Sequence, residues 1–280
     1  MTKKIFNLII FLIIKFLQKI QLSVRRVRKV KFDMFSENYK FYNNNYYFIL
    51  FGKDKYVSRN TYVNGPHDFR LLQKSIKVLN KKIYFLIDVG ANIGTFCIPA
   101  VKDKLIKKCI AIEPVNKINR ILNINIYLND LKEKIKVFDN IISNQNSQKL
   151  SLLTNKNNFG DNKFLENKKK FKSNSIKLDS FINHFNPKKL IIKIDVQGFE
   201  DRVLIGSKKF IKLKVPFLIE FNQEFIKSQY FKEIINLLEL NYQYVSFLDE
   251  NKIIKNDIKK LKDKFLQSNS KETDFNCLIF

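Results

Sequence analysis

The stretch that most constrains this chain is Ile83-Tyr-Phe-Leu-Ile-Asp88-Val-Gly90-Ala-Asn92-Ile-Gly94-Thr95. A continuous apolar run ends in an acid, a glycine-rich turn follows, and a helical pattern over residues 95–106 begins directly behind it. Such runs read as strands buried on both faces, and strand-to-helix crossovers build parallel sheets. The pattern recurs. Residues 109–112 precede a helical stretch at 116–128, and residues 135–142, 190–196 and 217–221 supply further strands. Residues 242–248 and 275–280 flank a helix-like segment at 257–266 and predict an antiparallel edge. The class is α/β.

Upstream, residues 66–80 read as a helix with Pro66 in its first turn, where a missing N–H costs nothing. Residues 40–52 hold two aromatic-rich runs around three asparagines and predict a β-hairpin. The division is therefore 1–31, 32–65 and 66–280. The first part carries nine Lys and Arg and no acid, behind an apolar run at 5–14. That run is about half of the roughly 20 residues a spanning helix needs. It predicts a short helix that either packs on the domain or lies on an anionic membrane surface, the inner face for a cytoplasmic protein.

The net charge is +26, so +17 lies outside the first 31 residues. Only seven of the 52 basic residues are Arg. Readers of nucleic acid favour the Arg fork, so the excess reads as compositional and does not argue for a nucleic-acid partner. Three scattered cysteines and two histidines predict no disulfide framework, no zinc spacing and no histidine-rich metal site, and no metal ligand is assigned. His67, in Asn64-Gly-Pro-His-Asp68, reads as a turn residue.

Ligands of open α/β sheets bind at the carboxyl ends of the strands. Gly90 and Gly94 suit close backbone approach there. A phosphate-binding Gly-Lys-Ser/Thr is absent, the glycines are four apart, and Asp88 would repel a pyrophosphate. The turn suits a ligand with a positive amino group and hydroxyls, such as S-adenosyl-L-methionine. Glu113, in Ile110-Ala-Ile-Glu113-Pro114, ends the second strand, where a carboxylate can accept hydrogen bonds from a ribose diol. Lys193 and Asp195 share one face of a later strand, in Lys193-Ile-Asp195-Val-Gln197-Gly198-Phe-Glu200. Buried charges must be paired or used, so they form a structural salt bridge or a reactive site. Glu220, ending the fifth strand, converges on the same place.

These segments, with Asn125, Asn129 and Val203-Leu-Ile-Gly206, resemble the FkbM family of S-adenosylmethionine-dependent methyltransferases over about residues 60–280. The resemblance implies a Rossmann-like class I methyltransferase fold with a mostly parallel seven-stranded sheet and an antiparallel C-terminal edge. It implies O-methylation of a sugar in a surface glycan or lipopolysaccharide, or of a secondary metabolite. Asp88, Gly90, Asn92 and Gly94 would take the methionine end of the cofactor and Glu113 the ribose. Pro114 and Asn140 complete the candidate cofactor set, and Asp195 would lie beside the methyl group. Asp195 is the expected proton acceptor, with Lys193, Glu200 and Glu220 around it. The family pattern usually has Glu where this chain has Gln197. Two other functions stand beside this one: methylation of RNA, motivated by the charge, and a membrane-attached binding module with a vestigial pocket, motivated by Gln197 and the anchor-like N-terminus.

Overall fold

The computed structural model describes residues 39–66, 68–153, 163–166, 173–248, 253–267 and 274–280. All belong to the unit Asp33–Phe280. The anchor read for residues 1–31 and the turn reading of His67 lie outside the described residues. In chain order, β1 (Tyr39–Asn43) and β2 (Tyr47–Phe51) form the hairpin, followed by α1 (Val57–Asn64) and α2 (Arg70–Leu79). Then come β3 (Phe85–Val89), α3 (Cys97–Lys102), β4 (Lys108–Ile112), α4 (Asn116–Leu128) and β5 (Ile135–Phe138). A small sheet follows, made of β6 (Ile141–Ile142), β7 (Lys149–Leu153), β8 (Lys163–Glu166) and β9 (Ser173–Ile176). The last part holds β10 (Leu190–Ile194), α5 (Glu200–Ile205), α6 (Lys208–Lys212), β11 (Phe217–Asn222), α7 (Phe231–Asn241), β12 (Tyr244–Leu248), β13 (Ile253–Asp257), α8 (Lys260–Gln267) and β14 (Asp274–Ile279).

The main sheet runs β13-β12-β14-β11-β10-β3-β4-β5. Strands β11, β10, β3, β4 and β5 are mutually parallel, and β14, β12 and β13 add antiparallel pairs. The sheet thus has eight strands where seven are expected from the sequence. The extra one, β13, is a short polar edge strand whose alternation is too weak to register as a run. The run 135–142 is likewise two strands. Asp139 and Asn140 break it, and Ile141–Ile142 pairs with β9 in the small sheet. Residues 155–174, polar and lysine-rich in sequence, contribute β8 and the start of β9.

Strand alternation places Ile87, Val89, Ile192 and Ile194 on one face, under α5, α6, α7 and α8. Leu86, Ala111, Ile191 and Leu218 point to the other face, under α3, α4 and the hairpin. Helix α4 shows how the second layer is held. Ile118, Ile121, Leu122, Asn125 and Ile126 make its buried stripe, at the spacing of one helical face. Asn125 breaks the apolar pattern because it has backbone work to do. Its Oδ1 accepts from Ile49 N at 2.6 Å, and its Nδ2 donates to Ile93 O at 2.9 Å. One turn later, Asn129 Oδ1 accepts from Tyr47 N at 3.1 Å and its Nδ2 donates to Tyr47 O at 2.7 Å. Two side-chain amides, one turn apart, thus satisfy the edge of β2 as a third strand would. Asn125→Ala should orphan a buried amide and two carbonyls and lower stability by about 2–3 kcal/mol. Chemical denaturation with an unchanged slope would check this.

Candidate active site

The parallel strands leave β3 in opposite directions: β4 and β5 follow on one side, β10 and β11 on the other. This reversal is the switch point where such sheets bind ligands. A cavity of about 330 Å³ lies there, within the range of small-molecule sites. Gly90 has φ +83°, and a Cβ on it would collide with the Asp195 carbonyl oxygen. Gly94 has φ +92°, and its Cβ would meet Ile98 and Leu122. Both glycines thus let the β3 turn pack against protein. Gly90 also lines the cavity, while Gly94 does not.

Register explains the charged cluster. Lys193 of β10 sits directly beside Asp88 of β3, and continuing the β10–β11 pairing sets Asp195 beside Glu220. All four side chains emerge on the same sheet face. Lys193 Nζ lies 3.3 Å from Asp88 Oδ1, 3.2 Å from Asp195 Oδ2 and 3.3 Å from Gly90 O. The salt bridge read from the sequence is therefore present, and it has a second acid. Burial alone would lower the Lys193 ammonium, but Asp195 and Asp88 outweigh it and hold it above the usual lysine range. Asp88 is fully buried and does not line the cavity. Neither of its oxygens has a hydrogen-bond partner beyond the ion pair. Asp88 thus anchors Lys193 from behind the site.

Asp195 faces the cavity. Gln197 Nε2 donates to its Oδ1 at 2.9 Å, while Lys193 takes the other oxygen. The negative charge of Asp195, with burial second, pushes Glu220 up to about 8, so Glu220 holds its proton at neutral pH. Glu200 lies behind the loop, not on the cavity wall. It accepts from Val196 N at 3.3 Å and Gly198 N at 3.0 Å, which shapes the Asp195–Gly198 turn, and burial pushes it up to about 7. Glu200 is accordingly a positioning residue.

On the other side, Glu113 Oε2 accepts from Asn92 N at 3.0 Å and Oε1 from Val115 N at 2.9 Å. Burial raises its carboxyl to about 7 against these two amides. Pro114, Asn140, Ile112, Ile141 and Ile142 continue this wall. A buried acid that lines the cavity next to an apolar slot fits a nucleoside, with diol acceptance at Glu113 and ring packing on the isoleucines. The donor set therefore suits S-adenosyl-L-methionine. Sequence reasoning missed the opposite wall, formed by Tyr56, Asp68 and Asn276. Asn276 carried a signal, as a polar residue in an apolar strand and the register partner of Glu220. Tyr56 carried none, because α1 is built from poor helix formers and depends on Asp54, which accepts from Tyr56 N and Ser58 N.

A parallel sheet with an acid ending each of the two strands beside a glycine turn defines a Rossmann-like enzyme for a nucleoside cofactor. The methyltransferase FkbM domain matches residues 88–245. The chain belongs to the FkbM methyltransferase family, and it is an S-adenosylmethionine-dependent methyltransferase. Among solved structures it is similar to TYW2 of M. jannaschii in complex with AdoMet, at 14% identity and TM-score 0.41, covering 87% of this chain and 85% of that one. It is also similar to precorrin-6y C5,15-methyltransferase of Geobacter metallireducens GS-15, at 8% identity and TM-score 0.39, covering 75% and 86%. No curated protein matches the chain. No helix among the described residues is long and apolar enough to cross a membrane.

The raised carboxyls have a consequence for stability. Glu113, Glu200 and Glu220 titrate at about 7, 7 and 8 in the fold, against 4.5 unfolded. The folded state then binds more protons across that window, so stability falls as pH rises through it. The melting temperature should be several degrees higher at about pH 5.5 than at about pH 8.5. A flat thermal-unfolding profile would contradict these assignments.

Proposed function

We propose that this enzyme methylates a hydroxyl oxygen of a sugar, in a surface glycan, lipopolysaccharide or a related metabolite. The observation that carries the proposal is Asp195: a carboxylate on the cavity wall, fixed by Lys193 and Gln197, beside a Glu220 that stays protonated. When bound, S-adenosyl-L-methionine supplies an electrophilic methyl group. Glu113, Asn92, Gly90, Pro114 and Asn140 would hold it, with Asp88 and Gly94 supporting that wall from behind. Asp195 would accept the acceptor's hydroxyl proton. Lys193 keeps Asp195 oriented. Glu220 offers a hydroxyl donor to a second acceptor oxygen. Tyr56, Asp68 and Asn276 give the far wall a polar lining suited to a polyol. Alignment of the two partners supplies much of the rate.

The test is to incubate the enzyme with methyl-labelled cofactor and glycan, lipopolysaccharide or RNA fractions. Label in O-methyl sugars is the expected result. Label confined to RNA would contradict the proposal and favour the RNA reading. Turnover on any fraction would remove the vestigial-pocket reading.

A further inference from the structure

Once the topology is known, +8 of the +17 outside residues 1–31 falls at one end of the main sheet. Because β3, β4, β5, β10 and β11 are parallel, the five loops that lead into them all lie at one end of the sheet. Each loop carries a lysine pair: Lys81 and Lys82, Lys107 and Lys108, Lys132 and Lys134, Lys188 and Lys189, Lys212 and Lys214. All ten are exposed. Counted over residues 80–84, 103–108, 129–134, 183–189 and 212–216, these loops hold eleven lysines, three acids and no arginine, a net +8. At the other end, residues 90–96, 113–115, 139–140, 195–199 and 223–230, which follow the same five strands, hold four acids, one lysine and no arginine. The compositional reading of the excess charge does not account for these loops, which are polarised along the strands.

Lysines from different loops also converge. Lys107 and Lys189 lie over the same Tyr84 ring, 4.3 and 4.7 Å from its centroid. Helix C-termini share this end and favour cations in their last turns. That accounts for Lys212 but not for the pairs standing in the loops beyond. Gathering like charges at one end is opposed by their mutual repulsion.

We infer that this lysine face docks the enzyme on an anionic lipid bilayer, with the cavity at the far end of the strands. The chemistry favours lipid over nucleic acid. Lysine offers point charges that suit a fluid array of headgroups, and each contributes by proximity to the negative surface potential. The face has no Arg fork, and Tyr84, its ring covered by two lysines, is a poor stacking platform for bases. Leu213, about half exposed between Lys212 and Lys214, adds an apolar tip. The same chain carries a second basic and apolar signal in residues 1–31, and stable peripheral attachment takes two signals.

The test is co-sedimentation of the full chain with vesicles of phosphatidylglycerol in phosphatidylcholine, and with phosphatidylcholine alone. One variant replaces a lysine in each loop (Lys82→Gln, Lys108→Gln, Lys134→Gln, Lys189→Gln, Lys214→Gln). A control removes the same charge elsewhere (Lys117→Gln, Lys177→Gln, Lys208→Gln, Lys227→Gln, Lys232→Gln). The wild type should bind the anionic vesicles only, and less as salt rises. The face variant should lose about tenfold or more in partitioning, and the control about threefold or less. Wild-type partitioning by the face variant would overturn the inference, since residues 1–31 would then suffice. Equal losses in both variants, no wild-type binding, or stronger binding to poly(U) than to the vesicles at equal salt would also overturn it.

Discussion

Replacing Asp195 with asparagine is expected to lower methyl transfer by about 10²–10⁴-fold, the usual worth of a positioned general base. Asparagine keeps the shape and can still face Lys193 and Gln197, so the loop should hold and cofactor affinity should stay within about threefold. The loss should fall in kcat. Removing the Asp195 charge also frees Glu220, whose proton is retained mainly because of that charge. Glu220 becomes the nearest spare carboxylate, so Asp195→Asn with Glu220→Gln should fall below the single variant. A single variant with unchanged turnover would show that the acceptor loses its proton elsewhere.

The second large effect is on folding. Lys193→Met removes the ion-pair partner of Asp88, which is fully buried and has no hydrogen bond of its own. Breaking such a pair costs about 3–5 kcal/mol, because an uncompensated charge stays behind. In a chain of this size the melting temperature should fall by roughly 6–20 °C. Burial already raises Asp88 against the pull of Lys193. Without Lys193 the shift grows, so the variant should recover stability on acidification as Asp88 takes up a proton. Adding Asp88→Asn should restore much of the loss at neutral pH. A double variant as unstable as the single one would show that the charge is not the cause.

Much of the candidate site was legible because its residues sit where local pattern meets topology. Asp88, Glu113, Asp195 and Glu220 each end or follow a buried apolar run, and a parallel sheet brings such ends together. What alternation alone could not give is direction behind the wall. Asp88 and Glu200 read as site carboxylates, yet both sit behind the cavity lining, one holding Lys193 and the other two backbone amides. Gly94 serves helix packing rather than the cavity. The far wall depends on α1 and on a residue of the last strand, distant in sequence from every motif. Strand β13 and the break at Asp139-Asn140 were hidden by short, polar stretches, where tertiary pairing overrides weak propensity. The lysine face was hidden differently. Its five pairs look like background in a lysine-rich chain until parallel pairing puts them at one end.

The assignment of the cavity is tested most directly by calorimetric titration of S-adenosyl-L-methionine into the wild type and into Glu113→Ala. The wild type should bind one equivalent saturably, and the variant about tenfold or more weakly, since a diol acceptor in a buried wall is lost. Equal affinity in the two proteins, or no saturable binding by the wild type, would contradict the placement of the cofactor at the carboxyl ends of β3 and β4.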